Sequence, residues 1–98
     1  MDKTIKNRLE TLSLLPGTPA REKKVRDYIK DLIKDDCDEI MQDNLGSLIA
    51  RKKGQGPKVM IAGHMDEVGL LVTQITKQGF IKFQTLGGWY SQVMLAQV

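Results

Sequence analysis

The sequence is poor in the side chains that make ready-made sites. Its 98 residues hold one cysteine, one histidine and one tryptophan, and aromatics make up only 5%. A lone cysteine, Cys37, excludes an internal disulfide framework and a cysteine-rich zinc site. It points instead to a reducing, cytoplasmic compartment. Long apolar runs are also missing. The longest are pieces such as Val59–Ala62 and Leu70–Val72, far short of the roughly 20 residues that span a bilayer. The first eight residues contain no continuous apolar segment, so no secretory signal and no membrane partner are expected. Charge of one sign is lacking too. Fifteen Lys and Arg stand against twelve Asp and Glu, a net +3. The densest basic cluster is Arg51-Lys52-Lys53 followed by Lys58. Without a longer stripe and interleaved aromatics, no nucleic-acid partner is expected. What remains is an ordinary globular composition, 41% hydrophobic and 28% charged, of a length that allows one domain.

The charge is unevenly spread. Residues 1–53 carry 22 of the 27 charged side chains, and residues 54–98 carry only Lys58, Asp66, Glu67, Lys77 and Lys82. The second half therefore reads as strand material or as surface meant to be covered. The apolar stretch Val93–Val98 has the character of a strand and no polar tail, which suggests that the chain is part of something longer.

The spacing predicts two helices and then strands. Ile5, Leu9 and Leu12 recur at helical spacing over 3–14, with Asp2 or Thr4 as cap and Pro16-Gly17 as stop. A second helix is expected to start with Thr18 as N-cap and Pro19 in its first position. Its apolar stripe is Val25, Tyr28, Ile29, Leu32 and Ile33. Short strands are expected over 39–42 and 47–53, joined by the Asp43–Gly46 turn. After a Gly54–Pro57 connection, 58–62 reads as a strand buried on both faces. A hairpin is expected from 69–76 and 80–85 around Lys77-Gln78-Gly79. The fold class is α/β: two N-terminal helices followed by a mixed β-sheet.

The chemistry concentrates in Gly63-His64-Met65-Asp66-Glu67-Val68-Gly69. His64 is the only histidine and lies just past the expected buried strand, where open α/β sheets place their ligands. Neutral imidazole is a favoured ligand for zinc and similar metals. A ligating histidine commonly donates its other ring N–H to a carboxylate. Asp66, two residues on in extended backbone, lies on the same side and can take that part. Taken alone, a His-x-Asp at a strand end is also compatible with a plain surface turn. A metal site needs three or four protein ligands, and few other candidates surround His64 in the sequence.

The string Val59-Met-Ile-Ala-Gly-His-Met-Asp-Glu-Val-Gly-Leu-Leu-Val72 resembles the signature of the glutamyl aminopeptidases, dinuclear metallo-aminopeptidases also called tetrahedral or endoglucanase-M-like. Further matching segments are Val25–Ile29, Asp43–Ala50, Gly79–Ile81 and Leu86–Trp89, in the same order. Two departures are Gly63, where the family usually has Ala, and Thr18-Pro19-Ala20, where it has a Ser-Gly pair. The resemblance implies that residues 1–98 are the N-terminal part of a catalytic α/β domain, ending near a crossover into a β-rich oligomerisation domain.

It further implies that His64 binds one of two divalent metals, zinc or cobalt, and that Asp66 is the active-site carboxylate that orients it. Such a pair would polarise a peptide carbonyl and activate water, with a glutamate beyond residue 98 moving the proton. The substrates would be peptides, cut at their N-terminal residue by a homo-oligomer. Glu67 matches the motif without an implied role. The 98 residues alone are expected to be inactive, since they lack most of the ligands and the general base. The rival readings are a non-catalytic binding or assembly module with the first half of this fold, and a related dinuclear amidohydrolase or carboxypeptidase.

Overall fold

The computed structural model describes residues 2–94. The first helix, α1, spans Lys3–Leu14, and the Asp2 carboxylate caps it by accepting from the Thr4 N–H at 2.9 Å. Pro16 ends it, because the residue before a proline is driven to extended backbone, and Leu15 sits at φ −73°, ψ 126°. Its expected apolar stripe is uncovered: Ile5 and Leu9 are both more than half exposed.

The second helix, α2, spans Lys23–Ile33. Here the expected start is corrected. Thr18 does not cap it and Pro19 is not its first residue; Glu22 is the N-cap, without a side-chain capping bond. The cause is local. Arg21 donates its N–H to the Thr18 carbonyl at 2.8 Å, which closes a tight turn. Ala20 then takes a left-handed φ of +66°, and no α-helix can run through that conformation. The Glu22 carboxylate holds the turn by accepting from the Ala20 N–H at 2.8 Å. The apolar stripe does face inward: Val25 is buried, and Tyr28, Ile29, Leu32 and Ile33 are half-buried.

Two antiparallel hairpins follow. Strand β1 (Glu39–Gln42) pairs with β2 (Leu48–Arg51), with Met41 opposite Ile49. The turn between them is set by Asp43, whose Oδ1 accepts from the Leu45 and Ser47 N–H groups at 2.9 and 2.8 Å. Those bonds favour the charged carboxylate and lower the Asp43 pKa, the bond from Ser47 most. Gly46 completes the turn at φ +93°, and its carbonyl accepts from Arg26 Nη1 on α2 at 3.0 Å. Strand β3 (Gly69–Ile75) pairs with β4 (Ile81–Leu86) in a hairpin that closes at Gly79, φ +86°. The register skips Thr73, whose hydroxyl donates instead to the Lys82 carbonyl.

The strands therefore form two two-stranded sheets, β1-β2 and β3-β4. The strand expected over 58–62 is not formed, so the Gly54–Pro57 connection leads into no strand. Val59, Met60 and Ile61 are 84%, 89% and 94% exposed, the opposite of the expected burial. The reason is pairing. Each hairpin pairs only within itself, and among the described residues no strand runs beside 58–62 to supply ladder hydrogen bonds. The strand character expected over Val93–Val98 lies mostly outside the described residues, and Val93 itself closes a short 3-10 turn with Ser91 and Gln92.

The result is an open molecule. Its radius of gyration is 18.0 Å, where a compact domain of this length has about 13 Å. Its accessible surface is 8978 Å², against about 5,600 Å² for a folded monomer of this mass. Val25 is the one large apolar side chain among the described residues that is buried, and none is fully so.

Candidate active site

The turn Gly63–Val68 runs from the exposed 58–62 segment into β3. The structure brings the two expected site residues together. His64 Nδ1 lies 3.0 Å from Asp66 Oδ1 and 3.0 Å from the Asp66 backbone carbonyl. Both partners are acceptors, so Nδ1 carries the proton that they share. In the neutral ring this leaves the lone pair on Nε2. The His64 side chain is 85% exposed, and that nitrogen is open to approach.

His64 also forms part of the wall of a cleft of about 340 Å³ between α2 and the β1–β2 turn, with Ile29, Ile33, Leu45, Leu48 and Met65. The donor set suits one ligand position of a metal site, an imidazole nitrogen with a carboxylate behind it. Among the described residues no three His, Cys, Asp or Glu side chains converge. A catalytic metal needs about three protein ligands, so these described residues do not by themselves make up a metal site.

Two neighbours hold this turn in place, and neither was legible in the sequence. The first is the loop between α1 and α2. Gly17 donates its N–H to Glu67 Oε1 at 2.8 Å, and the Glu67 N–H donates to the Gly17 carbonyl at 2.8 Å. Gly17 is buried, and a Cβ there would lie 2.8 Å from Val25 Cγ2. Thr18 packs so tightly on Gly69 that no side chain fits at position 69.

The second neighbour is the segment after β4. The Trp89 indole N–H is shared between the Gly69 and Leu86 carbonyls at 3.1 and 3.2 Å. Gly87, at φ +83°, lies against Val68. Trp89 is thus a half-buried packing residue with a satisfied N–H, whereas Tyr90 is 78% exposed.

The sequence profile of the M42 glutamyl aminopeptidases matches residues 46–98, more than half of the chain, and that stretch includes the whole His64 turn. The chain belongs to the M42 glutamyl aminopeptidase family. It is 50% identical to the FrvX protein of Escherichia coli (strain K12) over 87 residues, which is 89% of this chain and 24% of that protein. Among solved structures it is similar to the TET aminopeptidase of the marine sediment archaeon Thaumarchaeota archaeon SCGC AB-539-E09. There the identity is 41% and the TM-score 0.84, over 91% of this chain and 25% of that one. It is also similar to PhTET1-12s, a dodecamer in its asymmetric unit, at 32% identity and a TM-score of 0.74 over 90% of this chain and 26% of that one.

The chain therefore spans about a quarter of the length of these M42 relatives. The likeness to the TET aminopeptidases also bears out the α/β reading of helices followed by strands. His64, Asp66, Glu67 and Trp89 fall inside the M42 match, whereas Gly17 and Thr18 lie before it.

Proposed function

We propose that these residues belong to a metal-dependent aminopeptidase that removes N-terminal residues from peptides. The observation that carries this reading is the His64–Asp66 pair at 3.0 Å, with the His64 Nε2 lone pair left outward and exposed. His64 would hold one of two divalent ions, zinc or cobalt, through Nε2. Asp66 would fix the imidazole tautomer and its orientation and make Nε2 a stronger donor. The bound pair would supply Lewis-acid activation of the peptide carbonyl and of water. The turn holding His64 would keep that nitrogen in one place, since it is tied on both sides to other parts of the chain.

The 98 residues form the N-terminal part of the catalytic domain in this reading, ahead of a β-rich oligomerisation domain. They supply one metal ligand and no general base, so they are inactive by themselves. The complete protein assembles as a homo-oligomer, a reading supported by the similarity to a dodecameric relative. No described helix is long and apolar enough to cross a membrane, and the protein works in the cytoplasm on peptides.

The test uses the intact protein and a panel of aminoacyl-p-nitroanilides with acidic, basic and apolar residues. Hydrolysis that a chelator abolishes and added zinc or cobalt restores is the expected result. Hydrolysis untouched by chelator, or none on any member of the panel, would count against the reading and favour a binding module.

A further inference from the structure

The Glu67–Gly17 contact joins residues 50 positions apart and bonds them in both directions, side chain and backbone. It falls one residue from Asp66 and three from His64. The loop it grips is itself fixed. Gly17 is pressed against Val25, the one buried large apolar side chain among the described residues, and Thr18 seats on Gly69. The turn that presents His64 is therefore anchored, through Glu67, beside the most buried large apolar side chain among the described residues.

We propose that Glu67 is the positioning residue of this site. Its carboxylate oxygen holds the Gly17 amide, and through it holds the His64–Asp66 turn in the geometry that aims Nε2 outward. The proposal rests on the reading of His64 as a metal ligand and adds the group that sets its place. Glu67 acts here as a hydrogen-bond acceptor, with no proton transferred and no contact to metal or substrate. Its Oε1 is occupied by the Gly17 N–H. An amide oxygen in the same position can accept that bond equally well. Charge is thus dispensable at position 67, and an acceptor is not.

Two variants of the intact protein separate these roles, Glu67→Ala and Glu67→Gln. Three quantities are read: zinc affinity by competition with a chromogenic chelator, amide hydrogen exchange in the peptide containing Gly17, and kcat with KM for an aminoacyl-p-nitroanilide. Glu67→Ala should weaken zinc binding about 10–100-fold, the usual effect of losing a group that orients a ligand. It should also speed exchange at Gly17 and lower kcat with KM little changed. Glu67→Gln should rescue most of all three losses.

A Gln variant as impaired as the Ala variant would mean that the charge or a proton is used, and would overturn the proposal. So would an Ala variant that exchanges Gly17 faster yet binds zinc like the wild type, since the clamp would then not reach the site. If Glu67→Ala fails to fold, Glu67→Gln decides alone: near-native zinc affinity and Gly17 protection support the proposal, and loss of either in a folded protein overturns it. A wild type that binds zinc tightly but hydrolyses no peptide would sink the aminopeptidase reading and leave the first two readouts to judge Glu67. A wild type that binds no zinc would overturn both.

Discussion

The carboxylate of Asp66 and the imidazole of His64 meet at 3.0 Å on the Nδ1 side of the ring, within a turn of three residues. Because the Asp66 carbonyl converges on the same nitrogen at 3.0 Å, the ring is held by two acceptors at once. Removing the carboxylate leaves only the carbonyl to orient it. Asp66→Ala in the intact protein is therefore expected to weaken zinc binding about 10–100-fold, with the fold retained. Chelator competition alongside far-ultraviolet circular dichroism measures both, and unchanged zinc affinity would separate Asp66 from the metal.

Gly17 has no room for a methyl group. Its added Cβ would meet Val25 Cγ2 at 2.8 Å, on a side chain that is only 6% exposed. Overpacking of this kind costs about 1–3 kcal/mol. Gly17→Ala is expected to lower the unfolding free energy of the intact protein by about that amount, read as a lower denaturant midpoint at unchanged slope, and to loosen the bond to Glu67. A variant as stable as the wild type would show that the loop does not pack on Val25 as described.

The Asp43 turn carries a definite pH dependence. Hydrogen bonds, the one from Ser47 foremost, put the folded pKa of Asp43 below its ordinary value of 3.8. A depressed pKa contributes stability that is present above the unfolded value and is lost as pH falls through the folded one. The β1–β2 turn is therefore expected to hold at neutral pH and to open only in acid below pH 3.8. Exchange of the Leu45 and Ser47 amides followed from pH 6 downward checks this. Opening already near pH 6 would contradict it, and Asp43→Asn is expected to remove the acid dependence.

Much of this was legible from the sequence because the signals were local. Asp2 caps α1, the α2 stripe faces inward, and Asp43 and Gly79 set their turns, each within a few residues of its effect. The start of α2 departs from the sequence pattern because Thr18-Pro19 is a good capping pair only until Ala20 turns left-handed. The 58–62 segment departs from it because apolar character says that a strand wants covering and cannot say where its partners are. The proximity of His64 and Asp66 followed from their spacing. The Glu67–Gly17 and Trp89–Gly69 bonds span 50 and 20 residues, and no local pattern encodes such distances.

The surface exposed by the isolated 98 residues has a solution consequence. Val59, Met60 and Ile61 form a continuous exposed apolar run, and β3 adds Leu70, Leu71 and Val72 at about half exposure. Uncovered apolar faces and unpaired strand edges drive association. The chain produced by itself is expected to sediment as oligomers or aggregates at micromolar concentration. A stable monomer by sedimentation velocity would show that these faces tolerate water.

The most direct measurement is the metal content of the intact protein and of its His64→Ala variant, read by mass spectrometry of the elements after passage through a chelating column. The expected result is two divalent ions per protomer in the wild type. The folded variant should hold fewer, with its aminopeptidase activity lost in proportion. Equal metal content and equal activity in the two proteins would contradict the account, because His64 would then hold no metal.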